Sequence, residues 1–240
     1  MSRRYLLAFD TDRLPYLETD FLVIGSGSAG MRCAIEANQH GKVLLITKNA
    51  IEESNTSYAQ GGIAVAMNVE DTIDSHIEDT LKAGVGLSDE EIVQVMVREG
   101  IKRVSELIEW GANFDKDGDM LGFTIEAAHE KPRILHHRDA TGRETSNVLL
   151  NQLDKQKHVQ ILENAFAIDF VTDDSTCYGA LTLIDNVLYW VRAKATILAS
   201  GGLGRIYQCT SNPEIATGDG CAAAWRAGCE MIDMEFIQFH

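Results

Sequence analysis

Two stretches of the chain carry residue types that could do chemistry. In Asp20–Gly30, D-F-L-V-I-G-S-G-S-A-G, the residues Gly25, Gly27 and Gly30 stand at G-x-G-x-x-G spacing. Glycines so spaced allow a tight turn, bare backbone against a pyrophosphate, and close packing of helix on strand. The free N–H groups and the positive end of the helix dipole then face the phosphates. The chemistry implied is recognition of a dinucleotide. The second stretch, residues 122–145, crowds Glu126, His129, Glu130, Arg133, His136, His137, Arg138 and Asp139 into a short span. A metal is one use for such a cluster, but neither H-x-x-x-H nor H-E-x-x-H occurs, so no metal site is predicted. His137-Arg138-Asp139 matches the protein-kinase catalytic loop in three letters only; Glu144 stands where that loop needs asparagine.

The elements that must position the glycines are legible around them. Phe21–Ile24 has the length and branching of a buried parallel strand, Met31–Gln39 is helical and stopped by Gly41, and Val43–Ile46 is a second apolar strand. Together they form a β-α-β unit. An NAD-type site carries an acid at the end of the second strand. Here that strand runs into Thr47-Lys48, with no acid before Glu52. The pattern disfavours NAD and leaves room for a cofactor gripped by a lysine and a longer loop, although Lys48 alone also reads as a solvated strand-end lysine. The polar stretch 47–62 is long enough to be functional. Its closing Gly61-Gly62, followed by Ile63-Ala64-Val65-Ala66, suggests backbone pressed against something flat.

Further along, Asp71 or Thr72 starts a helix that ends at Gly84. Ser88-Asp89-Glu90-Glu91 caps another, with Ile92, Val95, Met96, Val104, Leu107 and Ile108 as its apolar face and Gly111 as its end. Lys116–Asp119 is a turn, and Thr141–Glu144 caps a helix through about Lys155. The texture then turns to strand: Val159–Leu162, Ala165–Val171, Tyr178–Ile184 and Val187–Arg192, with Asp185-Asn186 as a hairpin turn. A separate buried strand, Lys194–Ala199, runs into Ser200-Gly201-Gly202, and Gly218-Asp219-Gly220 opens a last helix, Cys221–Ala227. The fold class is therefore α/β, with a central parallel sheet, flanking helices and an additional antiparallel β-meander.

Composition bounds the function. The 240 residues carry a formal net charge of -15, with 45% hydrophobic and 24% charged residues. That is a globular chain with surface unsuited to nucleic acid or an anionic membrane. No apolar run approaches bilayer length, and Asp10 and Asp12 interrupt the one segment that imitates a signal peptide. A cytoplasmic location is expected. The five cysteines are scattered without C-x-x-C, which reads as buried free thiols.

Four signatures in order, V-I-G-S-G-S-A-G, S-N-T-S-Y-A-Q-G-G-I-A, D-A-T-G-R-E, and T-G-D-G with A-W-R-A-G and E-F-I-Q-F-H, make the chain resemble the fumarate reductase/succinate dehydrogenase flavoprotein superfamily, from about Thr19 to His240. Within it the similarity is to the aspartate-oxidising branch. The resemblance implies a Rossmann-like FAD-binding domain over residues 20–232, after a lead-in of residues 1–19, with 233–240 opening a capping domain. The superfamily continues beyond that point, which implies that the chain is an N-terminal portion, inactive on its own, and that the proton-transfer arginine lies past His240.

The same resemblance assigns residues. Gly25, Ser26, Gly27, Ser28, Ala29 and Gly30 would hold the pyrophosphate, Lys48 would follow the second strand, and Asn55, Thr56, Ser57, Tyr58, Ala59, Gln60, Gly61 and Gly62 would lie along the flavin, with Asp219 as a further contact. Covalent-flavin members carry a histidine where Asn55 stands, so a non-covalent FAD is implied. Glu126 occupies the position where aspartate-oxidising members place a glutamate, suited to pairing with an ammonium, although the family's glycine pair beside it is Ala127-Ala128 here. His240 matches a histidine that binds a substrate carboxylate. The implied reaction is oxidation of L-aspartate to iminoaspartate, with electrons passing to O2 to give H2O2 or to fumarate. The implied place is the first step of NAD biosynthesis, coupled to quinolinate synthase. The alternatives are a soluble fumarate reductase or succinate oxidase, and a flavin-binding module without catalysis.

Overall fold

The computed structural model describes residues 4–238. The chain divides into two compact units: Ser57–Val148 is one, and the segments before and after it form the other. In chain order, the first unit opens with β1 (Tyr16–Ile24), α1 (Ser28–Ala37), β2 (Val43–Ile46) and the one-turn helix α2 (Asn55–Tyr58). The second unit holds β3 (Ile63–Ala64), α3 (Ile73–Ala83), α4 (Glu90–Glu109), the hairpin of β4 (Lys116–Asp117) and β5 (Met120–Leu121), then β6 (Phe123–Thr124) and β7 (Ile134–Leu135). Helix α5 (Thr141–Leu153) leads back to β8 (Val159–Leu162), β9 (Ala165–Thr172), β10 (Cys177–Ile184), β11 (Val187–Leu198) and α6 (Asp219–Arg226).

The first unit is built on one six-stranded sheet in the order β8-β2-β1-β11-β10-β9. The first four strands are parallel and the last two join antiparallel. Leu22, Val23, Leu45 and Ile46 are fully buried, as a parallel sheet covered on both faces requires. Asp185 and Asn186, at φ 48° and 62°, make the primed turn that suits the twist of the β10–β11 hairpin. The predicted α/β class with an antiparallel meander is what the sheet displays.

Two strands and the buried face of one helix depart most from the sequence reading. The strands predicted at Val187–Arg192 and Lys194–Ala199 are one strand of 12 residues, β11. Its first half, through Arg192, pairs with β10, and from Trp190 onward it pairs with β1, so the two pairings overlap at Trp190–Arg192 and β1 alone carries the strand on through Ala193. By the same pairing β1 starts at Tyr16, ahead of its apolar run. In the second unit, Thr72 caps α3, accepting from Ser75 N, and α4 is capped by Asp89, one residue after the Ser88 of the predicted capping box, accepting from Ile92 N. The apolar face of α4 is rotated, however. Val93 and Val97 are buried in its first half, where Ile92, Val95 and Met96 are 64%, 58% and 53% exposed, whereas Val104 in its second half is buried as predicted. The stripe one residue round the helix is the one that meets Ile77 of α3.

Arg133, just before β7, is fully buried. Its guanidinium lies 2.8 Å from Asp71 Oδ1 and 2.9 Å from Asp79 Oδ2, and it donates to Ser75 Oγ at 3.0 Å. Asp79 Oδ2 also accepts from Glu130 N at 2.9 Å, tying the loop that carries Glu126 to α3. A buried cation persists only with such partners. His76 is buried in the same unit, its ring centroid 5.7 Å from that of His129. Burial first, then the positive charge of Arg133 and of His129, pushes its imidazole below the ordinary value of 6.5.

Removing Arg133 leaves two buried carboxylates unpaired, so Arg133→Met is expected to cost about 3–5 kcal/mol in urea denaturation. Because the folded-state pKa of His76 lies below its unfolded value, its contribution to stability is full above about 6.5 and is lost as pH falls below it. Denaturation midpoints measured across that range fall toward acid, and His76→Gln flattens the dependence.

Candidate cofactor site

The glycine turn is assembled by contact between strand ends. Gly25 sits at φ +113°, and a Cβ there would run into the carbonyl of Ala199. Its N–H donates to Ile46 O at 2.9 Å, and Ala199 N donates to Ile24 O at 2.8 Å, so the turn is held between the ends of β2 and β11. A Cβ on Gly30 would strike the carbonyl of Gly25. These are the close approaches that glycine alone permits. Gly27 caps α1 without any side-chain bond, and no acid stands in the first turn of that helix. The positive end of its dipole is therefore not neutralised by its own residues.

Above the turn lies a cavity of about 300 Å³. Of the residues predicted for the cofactor, Gly25, Ser26, Gly27, Ser28, Ala29, Lys48, Asn55, Thr56 and Asp219 line it. Gly30 packs behind the turn. Thr56 Oγ1 accepts from Ser28 N at 3.2 Å, joining the loop after β2 to the start of α1. Ser26 Oγ donates to Thr47 Oγ1 at 3.2 Å in a buried bond. Lys48 Nζ lies 2.5 Å from Asp219 Oδ1 and donates to Thr217 Oγ1 at 2.7 Å. Burial works to raise the Asp219 carboxyl. The hydrogen bonds from Lys48 and Thr217, with the Lys48 charge, outweigh it and hold the group below its ordinary value.

Ser57, Tyr58, Ala59, Gln60, Gly61, Gly62 and Glu126 belong to the second unit. There Gly61 stands in open space, while a Cβ on Gly62 would collide with Ile134, Leu135 O and His136. The flat object pressed on Gly62 is thus the chain's own β7. Glu126 is half-exposed, and its Oε1 lies 3.2 Å from His136 Nε2. Ala128 adopts φ 66°, the left-handed region that glycine occupies without strain. His240 lies outside the described residues.

The sequence reading missed other parts of the wall: Glu53, Ser54, Ala165, Asp169 and Phe170 line the cavity as well. Asp169 is committed elsewhere, 2.5 Å from Arg226 Nε and accepting from Leu6 N. Only the Ser200-Gly201 turn had a signal, as a second strand-to-glycine ending; alanines on β9 carry none.

The family described as FAD binding domain matches residues 20–240. The chain belongs to that family. It is 45% identical over 228 residues to the chloroplastic L-aspartate oxidase of Oryza sativa, covering 92% of this chain and 35% of that protein. To the L-aspartate oxidase of Vibrio cholerae it is 39% identical, over 93% of this chain and 44% of the relative. The chain thus spans less than half the length of these curated relatives. Among solved structures, the E. coli quinol fumarate reductase superposes with a TM-score of 0.85 at 28% identity, over 88% of this chain and 37% of that one. Mycobacterium smegmatis Sdh1 gives 0.84 at 31%, over 89% and 39%.

FAD is the cofactor of this domain, and the residues fit it. The uncapped α1 terminus and the bare Gly25–Gly27 backbone suit a pyrophosphate, and β2 is followed by Thr47-Lys48 rather than by the acid of an NAD site. When bound, the flavin supplies the hydride acceptor. Among the described residues no helix is long and apolar enough to cross a membrane, and no group of three His, Cys, Asp or Glu is placed to hold a metal.

Since Lys48 is the main group holding the Asp219 carboxyl down, Lys48→Met is expected to raise the Asp219 pKa, read by carboxyl-carbon NMR titration. An unchanged titration would show that Thr217 suffices. Gly30→Val, which forces a side chain into the Gly25 carbonyl, is expected to yield protein without flavin absorbance.

Proposed function

We propose that the protein to which this chain belongs oxidises L-aspartate to iminoaspartate with a non-covalent FAD. The observation that carries the reading is Glu126, a half-exposed carboxylate on a loop anchored to α3 and partnered by His136. Aspartate differs from succinate by an ammonium group, and a fixed carboxylate pairs with it by a charge-assisted hydrogen bond. The similarity to L-aspartate oxidases across 92% of the chain supports the same choice. His240 holds a substrate carboxylate, and proton transfer falls to an arginine in the part of the relatives' length that this chain does not span. Ser57 through Gly62 lie along the flavin, continuing from Asn55 and Thr56, and Asn55 offers no imidazole for a covalent link.

Electrons pass finally to O2, giving H2O2, or to fumarate. The product feeds quinolinate synthase as the first step of NAD biosynthesis, in the cytoplasm, although the Oryza relative is named chloroplastic. Residues 20–232 serve as the FAD-binding domain and 233–240 open a cap. The similarity to quinol fumarate reductase keeps one rival in view, a soluble fumarate reductase or succinate oxidase.

The intact, flavin-loaded protein is expected to turn over aspartate in preference to succinate. Loss of a charged hydrogen bond is worth about 1.5–3 kcal/mol, so Glu126→Gln should raise the KM for aspartate about tenfold or more and leave succinate binding alone. Preference for succinate in the unaltered protein would assign the rival function.

A further inference from the structure

We propose that His136 is a specificity-determining positioning residue: its imidazole holds the Glu126 carboxylate in the orientation that receives the substrate ammonium. The inference rests on the aspartate reading above and adds a residue to it.

β7 is the central strand of a three-stranded antiparallel sheet, paired with β3 on one side and β6 on the other. β3 follows the Gly61-Gly62 segment and β6 leads into Glu126, so the strand that ends just before His136 is fastened to both. His136 is fixed at its backbone, where its carbonyl accepts from Asp115 N at 2.8 Å. It is also fixed at its ring, since Cε1 fills the space that a side chain at position 62 would need. The ring is mostly buried, and its Nε2 faces Glu126 Oε1 at 3.2 Å. The neighbouring His137 is engaged elsewhere, its Nδ1 meeting Asn113 O. Arg138 N donates to Asp115 Oδ2. Of this basic run, His136 is the residue whose side chain meets Glu126.

A glutamate on a loop has several rotamers, and half of this one is in solvent. Ordering it for each ligand costs conformational entropy. A donor from a rigid strand end removes that cost in advance. With Oε1 taken by His136 Nε2–H, Oε2 retains its acceptor sites for the ammonium. A ligand without the ammonium gains nothing from this arrangement.

The test uses the intact, flavin-loaded protein. His136→Leu removes the donor; His136→Gln keeps an N–H near the position of Nε2. Dissociation constants for aspartate and for succinate are measured by flavin difference absorbance, and thermal melts confirm folding. Aspartate is expected to bind about tenfold more weakly to His136→Leu, succinate is expected to be unchanged, and His136→Gln should recover most of the loss. Long-range proton–nitrogen NMR is expected to find the proton on Nε2 of His136, with a resonance that moves in Glu126→Gln. Equal losses for both ligands, no loss for either, or a proton resident on Nδ1 alone would overturn the role of His136. Aspartate binding that is indifferent to Glu126→Gln would instead overturn the reading on which it rests.

Discussion

Main chain lies against main chain where the first turn meets the end of β11, and the cavity depends on that contact. The Cα of Gly25 faces the carbonyl of Ala199, and the Cα of Gly30 faces the carbonyl of Gly25. Any side chain at either position would separate β1 from β11 or lift α1 from the sheet. The contact also sets where the cofactor can go. Three strand ends, those of β1, β2 and β11, stop at one level, and their backbone groups bond to one another through Gly25 N–Ile46 O and Ala199 N–Ile24 O. What remains above them is an unneutralised helix terminus beside a cavity, which is the arrangement phosphate binding requires.

The two units handle charge in opposite ways. In the first, Lys48 and Asp219 meet at the cavity wall, partly open to solvent, with Thr217 bonded to Lys48. Such a pair contributes little to stability once screened by water, and it sets a cation and an anion side by side. In the second, Arg133 with Asp71 and Asp79 is shut away from solvent. There the cost of desolvation is large and the geometry must be held. The result is a loop, 125–133, anchored at one end by a β-pair and along its length by Asp79. A carboxylate on such a loop has a defined position, which an ordinary surface loop does not provide.

How much of this could be read beforehand varies element by element, for physical reasons. The β-α-β unit, the caps of α3 and α4, and the Asp185-Asn186 turn were legible because each depends on a few adjacent residues whose preferences are local. The continuity of β11 was not, because Ala193 and Lys194 are unremarkable on their own; β1, which pairs with Ala193 and again from Ala195, carries the strand past Arg192, where the pairing with β10 ends. The buried face of the first half of α4 was missed by one residue of rotation, while Val104 in its second half was placed correctly. Two apolar stripes lie side by side on that helix, and only the position of Ile77 chooses between them. Within the site, glycines and Lys48 stood out by type and spacing, whereas Ala165 and Phe170 entered the wall through the path of β9.

Residue order alone determined that this chain has a phosphate-cradling turn on a parallel sheet, an acid-and-histidine cluster, and the signatures of a flavoprotein, since turns, periodicity and spacing are properties of neighbours. Tertiary structure decided the partners: Ala199 for Gly25, Asp219 for Lys48, Asp71 and Asp79 for Arg133, and His136 for Glu126. Some of these residues stand tens of positions apart or more. Which of several acids or carbonyls meets a given group depends on where strands and helices pack, and no local preference carries that information.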